Sequence, residues 1–431
     1  MHDSSDVDDQ GVCHPGTRTF VLESVTRWID DRHPAFFVTW MKGAAGAGKS
    51  AIARTVAKRL AQEGLLLASF FCIRSNDRRS NASFVIPTLV DQIITRIPSL
   101  RHFIEEVLES DPHIFTKSME LQARRLIVDP LSSIKPELRN SLPRVIIIDG
   151  LDEFKDVSGQ REILKTIAFL IDNLPSKVHF FIASRPEHQI HDYFAHFIGS
   201  KWTLLSLDET YHPNNDIIIY YKDHFARIVA TFSSFKLPSD WPGEDTRRVL
   251  VMKGSGQFIF AATVVRFVGN TSASMSPQQR LDMVLNNVSK DDLKPLDLLD
   301  LVYVTVFSVV PRGELQHILQ LVGLVVLRAG FTKSPSVLDA VLGLQPGTTE
   351  SRLRYLHSVF KVPLASHEPV EPLHATLGDF IFDRRRSHAF GLHLDRDQVH
   401  QDIILKILKV SLSHYTTGRL AGEFSFHARI Q

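Results

Sequence analysis

The chain has 431 residues, of which 44% are apolar and 23% charged, and its formal net charge is +1. This composition indicates a folded globular protein with about three domains of ordinary size. The near-zero net charge gives no general reason to expect nucleic-acid or membrane binding. Two cysteines, Cys13 and Cys72, exclude a disulfide framework and favour a reducing, cytoplasmic setting. No apolar run reaches the roughly 20 residues that a membrane span needs, and the acidic N-terminus lacks the apolar core of a signal peptide.

The stretch Phe36–Glu63 has the pattern of a strand, a glycine-rich loop and a helix. The loop, GAAGAGKS, matches the phosphate-binding pattern G-x-x-x-x-G-K-[ST]. Small residues let backbone N–H groups surround a phosphate, and the following helix directs its positive end at it. Lys49 would contact the β- and γ-phosphates of a nucleotide, and the Ser50 hydroxyl would bind Mg²⁺. The predicted nucleotide-binding residues are Gly43, Gly46, Ala47, Gly48, Lys49, Ser50 and Ala51.

A second candidate element ends in carboxylates. The apolar run Val145–Ile148 is typical of a strand buried in a parallel sheet, and Asp149 follows it directly. A carboxylate at that end of a strand, about a hundred residues after a phosphate-binding loop, is suited to bind Mg²⁺. Either Asp152 or Glu153 could polarise the water that attacks the γ-phosphate. An acidic turn after a strand is also common without any such role.

Three further strands complete a predicted sheet. Leu65–Ile73 is one apolar run, Val178–Ala183 is another, and Trp202–Leu207 is the last. Strands that alternate with helices predict a three-layer α/β domain with a mostly parallel five-stranded sheet. Arg185, just after the fourth strand, could reach the γ-phosphate, although it is equally compatible with an ordinary surface residue. Right-handed crossovers would bring Gly46, Asp149 and Arg185 to one edge.

The second half of the chain is predicted to be mainly helical. Periodic apolar positions predict successive helices, and two short strand-like segments at Val359–Leu364 and Val370–His374 suggest a small β-wing. The predicted organisation is a disordered tail (1–14), a P-loop domain (15–207), a helical domain (208–290), a winged-helix-like domain (291–390) and a C-terminal helical segment (391–431).

Together these motifs resemble the NACHT-domain members of the STAND class of P-loop NTPases, in the form abundant in mushroom-forming and filamentous fungi. The similarity extends from Gly16 to about Ser413. It is carried by GTR at Gly16–Arg18, followed by GAAGAGKSAIA, IIIDGLDEF, IASRPEHQI, GQFIFAATVVRF, LHSVFKVP and LHATLGDFIFD.

The resemblance implies a conformational switch that binds ATP or ADP with Mg²⁺, hydrolyses ATP slowly and self-associates when the triphosphate is bound. It implies that Lys49 binds the phosphates and that Ser50 and Asp149 hold Mg²⁺. Glu153 or Asp152 would position the water. The sequence does not indicate which proteins the switch binds or which ligand activates it.

Two further residues acquire roles through the resemblance. Arg185 resembles the family's sensor arginine, and His374 occupies the place of a histidine by which a winged helix contacts bound ADP. His374 is also compatible with a histidine satisfied inside a small domain. Many relatives carry a proline that contacts the base, whereas Gly256-Gln257-Phe258 has none. The choice between ATP and GTP therefore stays open. Relatives usually also carry effector and repeat regions, so the chain resembles the switch core.

Two other functions are compatible with the loop. A small-molecule or nucleotide kinase would use the same phosphate contacts, but it would not need the long helical region that follows. A scaffold that keeps the fold without hydrolysis is the third possibility, and every required site residue is nevertheless present. A winged helix also raises DNA binding, against which the near-zero net charge argues.

Overall fold

The computed structural model describes residues 11–31, 36–74, 76–139, 141–175, 177–199, 201–207, 211, 213–271, 275–288, 295–327, 333–363 and 367–416. The chain divides into two compact units. One comprises Met1–Val265 with Asp292–Leu299, and the other comprises Arg266–Asp291 with Asp300–Gln431. The domain boundaries predicted after residues 207, 290 and 390 stay predictions.

The first unit contains a five-stranded sheet in which every neighbouring pair of strands is parallel. All five predicted strands are present, with ends that differ by about two residues or fewer. The strands are β1 (Val38–Lys42), β2 (Leu66–Phe71), β3 (Val145–Asp149), β4 (His179–Ser184) and β5 (Trp202–Ser206). Their order across the sheet is β2-β3-β4-β1-β5, so β1 is flanked by β4 and β5, and β3 by β2 and β4.

Helices connect these strands and continue after them. The helices of this region are α1 (Thr19–Asp30), α2 (Lys49–Gln62), α3 (Val85–Arg96), α4 (Arg101–Ser110), α5 (Met119–Ala123), α6 (Asp129–Ser132), α7 (Pro136–Arg139), α8 (Val157–Asn173), α9 (His188–Tyr193), α10 (Pro213–Thr231), α11 (Glu244–Gly254) and α12 (Phe258–Val268). Gly64 caps the C-terminus of α2, because it has φ 71° and the Leu65 N–H donates to the Leu60 carbonyl at 2.8 Å.

The two faces of the sheet bury separate cores. Trp40, Ile148 and Ile182 lie in the core that also contains apolar residues of α3 and α8. Met41 and Phe181 lie in the opposite core, with apolar residues of α1 and α2. Side chains alternate between faces along each strand, which explains why β2, β3 and β4, which are buried at every position, are mainly apolar. The predicted α/β arrangement, a parallel sheet between helices, is confirmed.

Two stretches contain helices that the periodicity did not predict. The first lies between α4 and β3, where α5, α6 and α7 surround a π-helical segment at Arg124–Val128. The second is α9, which continues into a π-helical segment at Phe194–Ile198. Helices this short and irregular show too few turns for a 3.6-residue period to emerge from the sequence.

Most of the tail predicted to be disordered, residues 1–14, lies outside the described residues. Its last residues have defined contacts in the first unit. The Cys13 N–H donates to Thr55 Oγ1 at 2.9 Å, and His14 Nε2 lies 2.9 Å from Asp223 Oδ2.

The second unit is mainly helical. The two predicted strand-like segments are reduced to an antiparallel pair of two residues each. Pro372 has no N–H to extend the pairing. The elements of this region are α13 (Pro277–Val288), α14 (Pro295–Ser308), α15 (Leu315–Val326), α16 (Pro335–Leu342), α17 (Thr348–Leu353), β6 (Phe360–Lys361), β7 (Glu371–Pro372), α18 (Thr376–Phe382), α19 (Arg384–Ser387) and α20 (Arg396–Thr416). The winged-helix assignment stays a prediction. Among the described residues, no helix combines the length and the apolar character required to cross a lipid bilayer.

Candidate functional site

The glycine-rich loop connects the carboxyl end of β1 to the first turn of α2. Gly46 and Gly48 have φ values of 80° and 90°, a region that side-chain-bearing residues rarely adopt. Gly46 also has a steric reason to lack a side chain, because a Cβ there would lie 2.0 Å from Ile259 Cγ2. Ser50 and Ala51 form the first turn of α2, where backbone N–H groups have no partner within the helix. The loop therefore has the backbone shape and helix N-terminus of an anion-binding site.

Lys49 folds back over this loop. Its ammonium donates hydrogen bonds to the carbonyls of Gly43 and Ala44, at 2.8 and 2.9 Å. Burial lowers the pKa of Lys49, while the carboxylates of Asp152 and Asp149 act in the opposite direction. The ammonium is thus held at the loop by two uncharged carbonyl acceptors and lies near negatively charged side chains.

Asp149 ends β3 and is 3% exposed. The Ser50 hydroxyl donates a hydrogen bond to its carboxylate, and Oδ1 of Asp149 has no hydrogen-bond partner among the described residues. Burial raises the pKa of Asp149, and the Ser50 hydrogen bond and the charges of Arg54 and Lys49 oppose that shift. A buried carboxylate oxygen without a partner, beside a hydroxyl, is a donor set that fits Mg²⁺.

This fit does not require a cluster of protein ligands. Within the described ranges, no group of three or more His, Cys, Asp or Glu side chains is arranged to hold a metal ion. Mg²⁺ commonly keeps several waters and takes one or two protein ligands together with substrate phosphates. Ser50 and Asp149 match that mode of binding.

Asp152 and Arg185 form an ion pair. Arg185 Nε lies 3.2 Å from Asp152 Oδ2, and the Arg185 backbone N–H donates to Asp152 Oδ1 at 2.9 Å. The Asp152 side chain is 3% exposed and that of Arg185 is 20% exposed. Asp152 therefore anchors the segment that follows β4, and the guanidinium of Arg185 is kept at the carboxyl edge of the sheet.

Glu153 has a different environment from Asp152. Its Oε2 accepts the backbone N–H of Arg74 at 3.1 Å, in the loop after β2. Burial, reinforced by the negative charge of Asp152, raises the pKa of Glu153 to about 7. A carboxylate with a pKa near neutrality is able to accept a proton at physiological pH.

The sheet register explains why these groups lie together. Asp149 is paired with Ala183 of β4, and Ser184 is paired with Lys42 of β1. The ends of β1, β3 and β4 are therefore aligned. Asp149 is the last residue of β3, and the glycine-rich loop, Asp152, Glu153 and Arg185 follow these strand ends. The predicted gathering of these groups at one edge is what the structure shows.

His374 lies in the second unit, between β7 and α18. Its Nδ1 is 2.7 Å from Thr376 Oγ1 and accepts the Thr376 backbone N–H at 3.2 Å. Thr376 Oγ1 is also 2.7 Å from the hydroxyl of Tyr303. Because a backbone N–H can only donate, Nδ1 is an acceptor and the neutral ring carries its proton on Nε2. Contact of His374 with a nucleotide stays a prediction.

Two contacts to the loop were not foreseen from the sequence. The Arg18 guanidinium donates to the Ala47 carbonyl at 2.7 Å, and the Ile259 N–H donates to the Gly46 carbonyl at 3.2 Å. Arg18 entered the sequence interpretation only as part of the GTR motif. Nothing local to Ile259 marks it as a loop contact, because its partner lies more than two hundred residues earlier in the chain.

The glycine-rich strand–loop–helix unit, the parallel sheet and the carboxylate after β3 define a P-loop NTPase fold in the first unit. The family described as "Nephrocystin 3, N-terminal" matches residues 16–185, which is less than half of the chain. The matched region begins at the GTR motif and ends at Arg185. A search of curated proteins found no match.

Two solved structures illustrate the level of structural similarity. The crystal structure of Cdc6p from Pyrobaculum aerophilum is 14% identical, with a TM-score of 0.38, over 86% of this chain and 96% of that one. A RuvB mutant from Thermogota maritima is 13% identical, with a TM-score of 0.28, over 84% of this chain and 94% of that one. Both TM-scores are too low for either similarity to inform the fold or the function.

Proposed function

We propose that the chain is a NACHT-type nucleotide-dependent switch that binds ATP or ADP with Mg²⁺ and hydrolyses ATP slowly. The observation that carries this proposal is the buried Asp149 carboxylate beside the glycine-rich loop. It accepts a hydrogen bond from Ser50 and keeps one oxygen without a partner among the described residues. Leaving such an atom buried is unfavourable unless a ligand completes its coordination.

Phosphate binding is the first consequence of this arrangement. The loop supplies backbone N–H groups, and Lys49 exchanges its two carbonyl partners for phosphate oxygens, which are stronger acceptors. Burial lowers the pKa of Lys49, and the nearby carboxylates of Asp152 and Asp149 oppose that shift. Ser50 and Asp149 would hold Mg²⁺, which when bound neutralises charge on the β- and γ-phosphate oxygens.

In the proposed hydrolysis, the two acidic residues after β3, Asp152 and Glu153, have different roles. Asp152 is occupied by Arg185, through both the side chain and the backbone N–H. Glu153 has its pKa raised to about 7 and is therefore the better general base for the attacking water. Arg185, held at the same edge, is suited to contact the γ-phosphate and so distinguish ATP from ADP.

The switch itself is supported by the sequence resemblance. In this proposal ADP keeps the winged-helix-like region and His374 in a closed state, and exchange for ATP releases the chain to self-associate. By the same resemblance, such a switch would act in fungal signalling or self/non-self recognition.

The decisive experiment measures the native mass of the purified chain with ADP and Mg²⁺, and then with a non-hydrolysable ATP analogue and Mg²⁺. A discrete oligomer with the analogue alone supports the switch, and the Lys49→Ala variant should stay monomeric in both conditions. The same mass in both conditions would contradict nucleotide-controlled assembly by this chain.

An accompanying assay distinguishes the alternatives. Release of inorganic phosphate into water, without an added acceptor, supports a hydrolase. Transfer to a small-molecule acceptor would instead identify a kinase, and binding without turnover would identify a scaffold. Parallel titrations with ADP and GDP determine the base preference.

A further inference from the structure

Arg18 combines three features that are unusual for an arginine with a purely structural role. It immediately precedes α1, its side chain is 4% exposed, and its backbone has φ 56°. A left-handed conformation is unfavourable for a residue with a long side chain, and burying a guanidinium is costly unless its charge is compensated. A hydrogen bond, an ion pair and a ring contact offset part of these costs, and Nε has no hydrogen-bond partner among the described residues.

The main contact is to the backbone of the phosphate-binding loop. Arg18 Nη2 donates to the Ala47 carbonyl at 2.7 Å, and a Cβ on Gly48 would lie 3.9 Å from the same nitrogen. The Ala47 carbonyl belongs to the same rigid peptide unit as the Gly48 N–H. In a trans peptide these two groups point in opposite directions, so a donor that holds the carbonyl also directs the Gly48 N–H away from Arg18.

Two helices hold Arg18 in this position. Asp216, in α10, accepts the Arg18 backbone N–H at 3.1 Å, and its Oδ2 lies 3.9 Å from Arg18 Nε. The guanidinium also lies over the ring of Phe258, the first residue of α12, at 4.6 Å from the ring centroid. The next residue, Ile259, donates its N–H to the Gly46 carbonyl at 3.2 Å. The carbonyls of Gly46 and Ala47 are thus both held by groups outside the loop.

We propose that Arg18 is a positioning residue of the nucleotide site, which orients the Ala47–Gly48 peptide so that the Gly48 N–H is presented to a bound phosphate. Asp216 and Phe258 fix the guanidinium for this task. The arrangement connects the phosphate-binding loop to α10 and α12, so these helices follow the state of the loop. This inference rests on the proposed nucleotide binding.

The test compares Arg18→Ala and Arg18→Lys with a matched control, Arg27→Ala, at an exposed arginine of α1. Affinity for a fluorescent ADP analogue with Mg²⁺ is measured well below the unfolding temperature of each variant. Inorganic tripolyphosphate serves as a competitor that probes the phosphate contacts alone. We expect about tenfold to hundredfold weaker binding of both ligands for Arg18→Ala, because a charge-assisted hydrogen bond positions the loop.

Arg18→Lys should lose less affinity for both ligands than Arg18→Ala, because lysine keeps the positive charge. It should still bind more weakly than the parent chain, because lysine lacks the planar guanidinium that contacts a carbonyl, a carboxylate and a ring. Arg27→Ala should bind both ligands as the parent chain does. A residue that only supports the fold would lower the unfolding temperature and leave the affinity of the folded protein unchanged. That result for Arg18→Ala would overturn the proposal.

Asp216→Asn provides an independent test if Arg18→Ala does not fold. It keeps an acceptor for the Arg18 N–H but removes the counter-charge, and we expect about tenfold weaker ADP binding. The double variant Arg18→Lys/Asp216→Asn should lose less ADP-binding free energy than the sum of the losses of the two single variants, because the two residues act together. Strictly additive losses would contradict the coupling. Failure of the parent chain to bind any nucleotide would instead contradict the proposed function itself.

Discussion

The two units each contain a cluster of buried polar groups, and the clusters differ in how well they are satisfied. In the second unit, Arg386 forms two hydrogen bonds with the carboxylate of Asp300, at 2.6 and 2.9 Å. The Tyr303 hydroxyl, Thr376 and His374 form a continuous hydrogen-bonded chain. In the first unit, Asp149 keeps a buried oxygen without a partner among the described residues.

Under the proposed function, this difference distinguishes groups that stabilise the fold from groups that bind a ligand. A bidentate arginine–carboxylate pair satisfies both partners and favours one packing arrangement. An unsatisfied carboxylate lowers stability and is retained where binding completes its coordination. Removing a side chain from the cluster in the first unit should therefore alter ligand binding more than stability. Removing one from the cluster in the second unit should alter stability more than ligand binding.

The largest expected effect is that of Lys49→Ala on nucleotide binding. Loss of the ammonium should weaken ADP binding about a hundredfold or more, because a buried charge next to the phosphates is removed. The apo protein should unfold at nearly the same temperature, since the hydrogen bonds of the Lys49 ammonium to described residues go to the carbonyls of Gly43 and Ala44 in the loop. Titration with a fluorescent ADP analogue measures the affinity. Lys58→Ala, at an exposed position of α2, is the control, and equal affinities for the two variants would refute the assignment.

The second effect concerns hydrolysis and its pH dependence. Glu153→Gln should lower turnover by about 10²- to 10³-fold, because the amide cannot accept the proton of the attacking water. The pKa of Glu153 is raised to about 7, so the carboxylate is increasingly protonated below that pH. Turnover of the parent chain should fall as the pH decreases through about 7. Steady-state phosphate release between pH 5.5 and 8.5 measures this, and a flat profile would exclude Glu153 as the base.

The third effect tests the second cluster. Arg386→Met should reduce the free energy of unfolding by about 2 kcal/mol, less than for a fully buried pair because the arginine remains partly accessible to water. Urea unfolding measures the change, and Arg385→Ala, at an exposed neighbouring arginine, should have little effect. ADP affinity should be unchanged. If Arg386→Met had parental stability but bound ADP more weakly, the assignment of the second-unit cluster to stability rather than to binding would be wrong.

The smallest effect concerns buried nitrogen atoms that have no hydrogen-bond partner within the described ranges and lie far from the glycine-rich loop. His179 begins β4, at the opposite end from Arg185, and is 2% exposed beside the rings of Trp28 and Phe37. Neither ring nitrogen has a hydrogen-bond partner among the described residues. Burial lowers the pKa of His179 from 6.5 to about 4, so the folded state disfavours the protonated ring.

The free energy of unfolding should therefore be unaffected by protonation of His179 above pH 6.5, and it should decline as the pH falls towards about 4. The loss should reach about 2 kcal/mol, and His179→Phe should abolish this part of the pH dependence. Urea unfolding between pH 4.5 and 7.5 measures it, with His188→Phe as the control at an exposed histidine of α9. Nucleotide affinity of His179→Phe should be parental. Weakened binding would show that an unsatisfied group at either end of the sheet acts on the site.

Much of the secondary structure of the first unit could be predicted, because it depends on residues that are neighbours in the sequence. The loop GAAGAGKS occupies consecutive residues, and each strand is a continuous apolar run. The gathering of Asp149 and Arg185 at one edge followed from the parallel topology alone. The short helices between α4 and β3 were not predicted, because they include a π-helical segment and lack a sustained period.

Neighbouring residues and simple periodicity are enough to predict the glycine-rich loop, the strands and the candidate acidic residues. Only the tertiary structure distinguished Asp152, paired with Arg185, from Glu153, whose pKa is raised by burial. It alone also placed Arg18 and Ile259 against the loop. Burial, pairing and contacts between distant segments arise from packing, and no local pattern of residues encodes them.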